Sequence, residues 1–312
     1  MKLFYSDVFE LPLPPKHRFP MAKYRLLRER VEASGKFPAA DIQPAPEATD
    51  LELETVHDSD YVRRVATGEL TDLEIRRIGF PWSEKMVIRS RRSTGASIAA
   101  ANAAMDSGVA VNLAGGTHHA FPESGQGYCV FNDVAVAAKV CQQQNLVQNV
   151  LFIDCDVHQG NGTAAVAKND ATLFAFSMHC NKNFPFRKTA GDLDIGVDEG
   201  TEDEEYLDLL NKGLDQVFNH FQPDLVFYVS GADPYEGDRL GHLRLTKAGL
   251  RKRDELVLNR CLQDDLPVAI SMAGGYAPKI DDIVDIHFQT IATAQDIFRS
   301  TRAVNPYHGT SR

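Results

Sequence analysis

The sequence offers no cysteine framework. Its five cysteines are scattered, with no Cys-x-x-Cys pair, which argues against a disulfide scaffold or a cysteine zinc site and for reduced thiols. No apolar run approaches the ~20 residues that a membrane span needs. There is no basic surplus either: 43 acidic residues against 33 basic ones leave a net charge of −10. Such a chain carries no electrostatic footprint for nucleic acid, although a local acidic rim for a cationic substrate stays open. The segment from Met1 to Glu10 is too interrupted by charge for a secretory signal, so a cytoplasmic protein is expected. Low-complexity runs, linkers and internal repeats are also missing, which makes residues 1–312 a single domain on this reading.

What is present is a repeating pattern. After a short strand, Lys2 to Tyr5, Pro20 opens a helix striped by Met21, Tyr24, Leu27 and Val31. Then five short apolar runs each end in glycine or polar residues. Val109 to Leu113 leads into Gly115-Gly116-Thr117-His118-His119, and Val150 to Ile153 into Asp154-Cys155-Asp156-Val157-His158. Thr172 to Phe176 leads into Ser177-Met178-His179, Leu225 to Val229 into Asp233, and Pro267 to Ile270 into Gly274-Gly275-Tyr276. Helical stretches lie between most of them: Asn132 to Gln144, Glu202 to Phe221, Lys247 to Gln263 and Asp281 to Arg302. Thr201 and Glu204 stand at capping-box spacing. Near-continuous apolar strands alternating with helices predict an α/β protein whose parallel sheet is covered on both faces. Ligands of such sheets bind beyond the carboxyl ends of the strands, where every polar cluster named above falls.

The chemistry concentrates after Ile153. Asp154, Asp156 and His158 sit at alternate positions, so in extended chain they would share one face. Polar groups on a core strand are costly unless paired or bound, and adjacent carboxylates repel without a cation between them. Asp156 and His158 are therefore candidate ligands for zinc or another divalent ion, with Asp233 as the natural third. Three protein ligands leave one position open, the arrangement of a catalytic metal. His118 and His119 are either further ligands or a proton-handling pair. Asp154 is placed to orient a histidine, and Tyr276 to donate to a developing oxyanion. Together these groups form the toolkit of metal-assisted amide hydrolysis. His17, in the loop before the first helix, has no role assigned by its surroundings.

Taken in order, these motifs, together with Gly127-Tyr128-Cys129-Val130-Phe131-Asn132-Asp133 and Asn161-Gly162, resemble the zinc-dependent histone deacetylase superfamily, in particular its short bacterial and class IV-like members. The resemblance runs from about residue 3 to about residue 295. It implies an arginase/deacetylase fold, a three-layer α/β/α domain around a mostly parallel sheet of about eight strands. It implies Asp156, His158 and Asp233 as metal ligands. His118 and His119 become the paired histidines, with Asp154 and Asn161 as their partners, and Tyr276 polarises the scissile carbonyl. Asp154, Asp156, His158, Ser177 and Met178 match the surroundings of a structural potassium ion. Gly127, Tyr128, Phe184 or Phe186, and Gly275 match the substrate channel. The implied reaction is removal of an acetyl or related acyl group from the ε-amine of lysine, with Zn2+ or else Fe2+ as cofactor. An acetylpolyamine deacetylase is the alternative; a ureohydrolase or a non-catalytic binding module on this fold is remote. Three departures stand out: Tyr128 for a common Phe, Asn161 for the Asp of class I enzymes, and Ala273 for a common third Gly.

Overall fold

The computed structural model describes residues 1–9 and 11–304. Eight parallel strands form one sheet: β1 (Lys2–Tyr5), β2 (Ile42–Pro44), β3 (Val109–Asn112), β4 (Val150–Asp154), β5 (Leu173–Cys180), β6 (Leu193–Val197), β7 (Leu225–Ser230) and β8 (Val268–Met272). Their order is β2-β1-β3-β8-β7-β4-β5-β6. The helices are α1 (Ala22–Ala33), α2 (Asp50–Leu53), α3 (Ser59–Thr67), α4 (Asp72–Ile78), α5 (Glu84–Ser107), α6 (Asp133–Gln143), α7 (Asn161–Ala167), α8 (Asp203–His220), α9 (Lys247–Gln263) and α10 (Ile280–Val304).

Side-chain alternation along the strands builds two cores. Val150 and Phe152 of β4 face the layer of α5 and α6, joined by Ala110, Phe227 and Ala269. Leu151 and Ile153 face α1, α8, α9 and α10, joined by Val111, Tyr228 and Ile270. Because both faces of the central strands are buried, they read as unbroken apolar runs rather than alternating ones.

The topology decides where the polar clusters meet. From β3 the chain skips two strand positions to β4, runs outward through β5 and β6, and returns as β7 and β8 into the gap. The loops after β3, β8, β7 and β4 therefore stand side by side at one sheet edge, a switch point of the kind that hosts ligands.

Some local expectations needed correction. The strands β2 and β6 were not anticipated individually; both are edge strands, where Pro44 and the half-exposed residues of Leu193–Val197 blur the apolar signal. Strand β5 runs on to Cys180, so Ser177, Met178 and His179 belong to the strand and not to the loop after it. Helix α1 starts at Ala22, with Pro20 in the turn before it. The Thr201–Glu204 capping box does not form: Glu202 is the N-cap of α8, and the Thr201 carbonyl accepts from the Arg244 backbone at 3.0 Å. Capping boxes form instead at Thr49–Glu52 and Thr71–Glu74.

Gly95 lies inside α5, where alanine would ordinarily be favoured by about 1 kcal/mol. A Cβ there would stand 2.9 Å from the Ala48 backbone nitrogen and closer still to the Pro46 carbonyl. Gly95→Ala should therefore destabilise the protein, by roughly 1–3 kcal/mol, as overpacking against backbone does. A urea midpoint that rises in this variant would show that α5 is not pressed against the 46–48 segment.

Candidate active site

Strand β4 ends at Asp154, and the chain then bends sharply through Asp156 to His158. The Asp156 Oδ1 accepts hydrogen bonds from the His158 backbone N–H at 2.9 Å and from its Nδ1 at 2.9 Å. This aspartate turn, and not the alternation of an extended strand, brings the side chains together. Oδ2 of Asp156 accepts from Gly274 N at 2.8 Å. Asp233, beyond β7, accepts from Val157 N through Oδ1 at 3.0 Å. Its Oδ2 lies 3.2 Å from His158 Nδ1 without the alignment of a hydrogen bond, and is buried with no partner. One ligand atom from each of Asp156, His158 and Asp233 falls within 4.8 Å of the others.

A buried carboxylate oxygen left unpaired is costly unless a cation meets it. Burial disfavours a charged His158, but the hydrogen bond to Asp156 and the adjacent Asp233 carboxylate outweigh it and push its pKa up to about 10. Burial and the charge of Asp156 push Asp233 up to about 6. Asp156 itself, despite burial, is held well below the usual range by His118 and His158. The site is an anionic pocket only partly neutralised by a proton on its imidazole. A divalent ion, at a two-carboxylate, one-imidazole set, fits the same need.

The loop after β3 supplies the histidine pair. His118 Nδ1 meets Asp154 Oδ2 at 2.5 Å and His119 Nδ1 meets Asn161 Oδ1 at 2.7 Å, the partners named from the sequence. The rings lie 4.1 Å apart, centroid to centroid. Their charge states diverge. Burial works against protonation of both, but Asp154 and Asp156 raise His118 to about 9. His119 has only a neutral amide and the repulsion of His118 and His158, and falls well below its usual value. Tyr276 is buried, and burial together with Asp233 and Asp156 pushes its phenol well above the usual range.

His118, His119, Asp156, His158 and Tyr276 border a cavity that also touches Phe19, Gly127, Tyr128 and Gly274, and Asp154, Asn161 and Asp233 are buried beside them. Gly127 has a left-handed backbone (φ +57°), and a Cβ there would press on His119 and Phe184. Phe184 stands edge-on to His119 at 4.9 Å. The other channel candidates, among them the open choice between Phe184 and Phe186, separate. Phe186 is 90 % exposed, because its loop turns it to solvent. Gly275 faces Ile283 and Ala232 of the core, and it is Gly274 that borders the cavity. Of the potassium set, Asp154 and Ser177 are register partners on β4 and β5, and Met178 follows in β5. His17 packs beside Tyr128 and Phe80, and its Nε2 meets the Gly79 carbonyl at 2.9 Å.

A model of the histone deacetylase domain matches residues 17–291. The chain belongs to the histone deacetylase family. Among its relatives, an uncharacterized protein of Picosynechococcus sp. is 45 % identical over 296 residues, covering 94 % of this chain and 98 % of its own. Histone deacetylase 2 of Arabidopsis thaliana is 28 % identical, covering 88 % and 74 %. The crystal structure of an HDAC homolog from Aquifex aeolicus superposes with a TM-score of 0.78 at 21 % identity over 96 % of this chain and 88 % of that one. The HDA15 HD domain gives 0.78 at 23 % identity over 98 % and 97 %. The arginase/deacetylase-type fold and a deacetylase activity of this superfamily follow.

Several residues that hold this deacetylase site together escaped the sequence reading, because nothing in their local pattern marks them. Arg253 of α9, fully buried, donates Nη1 to the carbonyls of Cys155 at 3.2 Å and Gly231 at 2.7 Å. It thus ties together the two strand tips that carry all three candidate ligands. Its charge is met by Asp254 Oδ1 at 2.8 Å, which Tyr228 also reaches. Asp238 accepts from Tyr276 N at 2.6 Å while Arg239 donates to Tyr276 O at 3.1 Å, clamping that residue's backbone from both sides. Asp133, part of the Gly127–Asp133 motif but given no role by it, accepts from Gly116 N at 3.1 Å and Thr117 N at 2.6 Å, fixing the loop before the histidines.

Arg253→Met should weaken divalent-ion binding by roughly 10–100-fold, the usual cost of losing a group that orients ligands, with the fold retained by circular dichroism. Undiminished affinity in that folded variant would show that the tips need no tether. Ion uptake should also release protons. A ligating imidazole must be neutral, and His158 keeps its proton below a pKa of about 10; affinity should therefore rise with pH up to that point. Calorimetry in buffers of differing ionisation enthalpy counts the protons, and a count of zero near neutral pH would remove Nδ1 from the ligand set.

Proposed function

We propose that this deacetylase cleaves the ε-amide of acyl-lysine in proteins or peptides. The observation that carries the reading is the meeting, at one cavity, of a three-residue ligand cluster that reaches it through Asp156 and His158, a histidine pair with unlike partners, and a buried tyrosine. Aromatic walls from Phe19, Tyr128 and Phe184 suit the aliphatic stem of lysine. Asp156, His158 and Asp233 would hold Zn2+ or Fe2+, which would supply Lewis acidity toward the acyl carbonyl and acidify a water.

The chain's own groups perform the remaining steps. Asn161 accepts from His119 Nδ1, which leaves Nε2 of a neutral imidazole free to take a proton from water and pass it to the leaving amine. His118, held positive by Asp154, stabilises negative charge beside it. The Tyr276 phenol stays protonated and donates to the oxyanion. A potassium ion near Asp154, Asp156, His158, Ser177 and Met178 would brace the β4–β5 tips. We read residues 1–312 as one catalytic domain, of which 305–312 lie outside the described residues. Five buried free thiols support a cytoplasmic setting, and no helix among the described residues is long and apolar enough to cross a membrane.

Tyr276→Phe should lower turnover about 10²–10³-fold, as loss of an oxyanion donor does, at unchanged metal content. Wild-type turnover in this variant would remove the oxyanion role. Acetyl-lysine peptides assayed beside acetylputrescine and acetylspermidine test the substrate; cleavage confined to the polyamines would replace the lysine reading.

A further inference from the structure

Two cationic side chains border the catalytic cavity and make no ion pair among the described residues. Lys23 of α1 is 2 % exposed and Arg89 of α5 is 6 % exposed, and both line the space that also touches His118, Asp156 and Tyr276. Lys23 Nζ makes one hydrogen bond, to the Ala273 carbonyl at 2.9 Å, at the tip of β8. Arg89 has no hydrogen bond or ion pair among the described residues. Its guanidinium rests on the rings of Tyr24, Phe19 and Phe80, at 4.9, 5.8 and 5.9 Å. Lys23 shares two of these rings, lying 5.4 Å from Phe19 and 5.3 Å from Tyr24. Asp7, which borders an adjoining cavity with Arg89, is already held by Arg28 at 2.9 and 3.0 Å.

Aromatic faces ease the burial of a cation, but they leave most of these N–H groups without an acceptor. Two like charges buried around one cavity are costly unless an anion comes between them. Lys23 Nζ holds the carbonyl of Ala273, the residue before Gly274 whose N–H meets Asp156, and lies 5.6 Å from the Tyr276 ring. The cations therefore stand beside the groups that would receive the acyl carbonyl, within reach of an acyl chain held there.

We propose that Lys23 and Arg89 form a carboxylate-binding subsite, so that the enzyme prefers acyl groups that end in a carboxylate, of the succinyl type, over neutral groups of equal size. This rests on the deacylase reading above. In the reaction the water oxygen bonds to the acyl carbon, the C–N bond breaks and the nitrogen takes the proton, giving a dicarboxylate and free lysine.

The test compares ε-succinyl-lysine with its neutral isostere, ε-succinamyl-lysine, in one peptide. Wild type should favour the succinyl form by roughly tenfold or more in kcat/KM, the scale of a charge-assisted hydrogen bond. The ratio should fall towards one in Arg89→Met and in Lys23→Met. A ratio near one in wild type overturns the subsite. So does Arg89-dependent inhibition by acetate without succinyl preference, which would assign the cations to the departing product. Calorimetry on zinc-loaded Tyr276→Phe protein reads binding without turnover. Tighter binding of the succinyl peptide, lost when Arg89→Met is added, upholds the subsite even if no acyl-lysine is cleaved, and that result would end the deacylase reading alone. Equal binding of the two peptides overturns the subsite.

Discussion

Two carboxylates buried against one imidazole set the terms for the rest of this structure. Asp156 and Asp233 cannot both stay ionised in a water-poor site unless positive charge lies between them. In the protein alone that charge is the proton on His158, and the Oδ2 of Asp233 still goes unpaired. Holding such a pair in place demands rigidity, and the surrounding bonds supply it. Gly274 N and Val157 N each donate to one carboxylate, and Arg253 joins the two loops from below through carbonyl oxygens. Because Arg253 is neutralised by Asp254, it tethers the tips without cancelling the negative charge that a cation needs.

The sheet explains why groups so distant in sequence can meet. Strands β3, β8, β7 and β4 are consecutive in space, although residues of the intervening β5 and β6 separate β4 from β7 along the chain. Each contributes one kind of group: histidines after β3, Tyr276 after β8, Asp233 after β7, Asp156 and His158 after β4. The inner strands β3, β4, β7 and β8 can be mostly apolar because the polar groups of the site gather at and beyond their carboxyl ends. Gly274 shows how tight the junction is, since a Cβ there would run into the carboxylates of both Asp233 and Asp156.

Much of this was legible from residue order. Apolar runs ending in Gly-Gly-Thr-His-His, Asp-Cys-Asp-Val-His or Gly-Gly-Tyr announce buried strands and reactive tips, and the fold class followed from their alternation with helices. What stayed hidden depends on contacts distant in sequence. Arg253, inside an amphipathic helix, looks like any surface arginine until its carbonyl partners 98 and 22 residues away are known. Lys23 sits 250 residues from its one hydrogen-bond partner. Phe184 and Phe186 have the same residue type two positions apart, and only the path of the loop separates a ring packed on His119 from a 90 % exposed one. The convergence of Asp156 and His158 was expected from strand alternation, whereas a local turn produces it.

The histidine pair shows how one change of partner separates two chemically equal groups. His118 and His119 are neighbours in sequence, both nearly inaccessible, with rings 4.1 Å apart. A carboxylate faces one and an amide the other. Two imidazolium ions this close would repel, so only one can readily hold a proton, and the carboxylate decides which. Asn161 thus does more than orient His119. By offering no charge it leaves burial and the cationic His118 and His158 to keep that ring neutral, and a neutral ring can accept a proton. An aspartate at the same position would make the two rings competitors for charge and raise the basicity of the second.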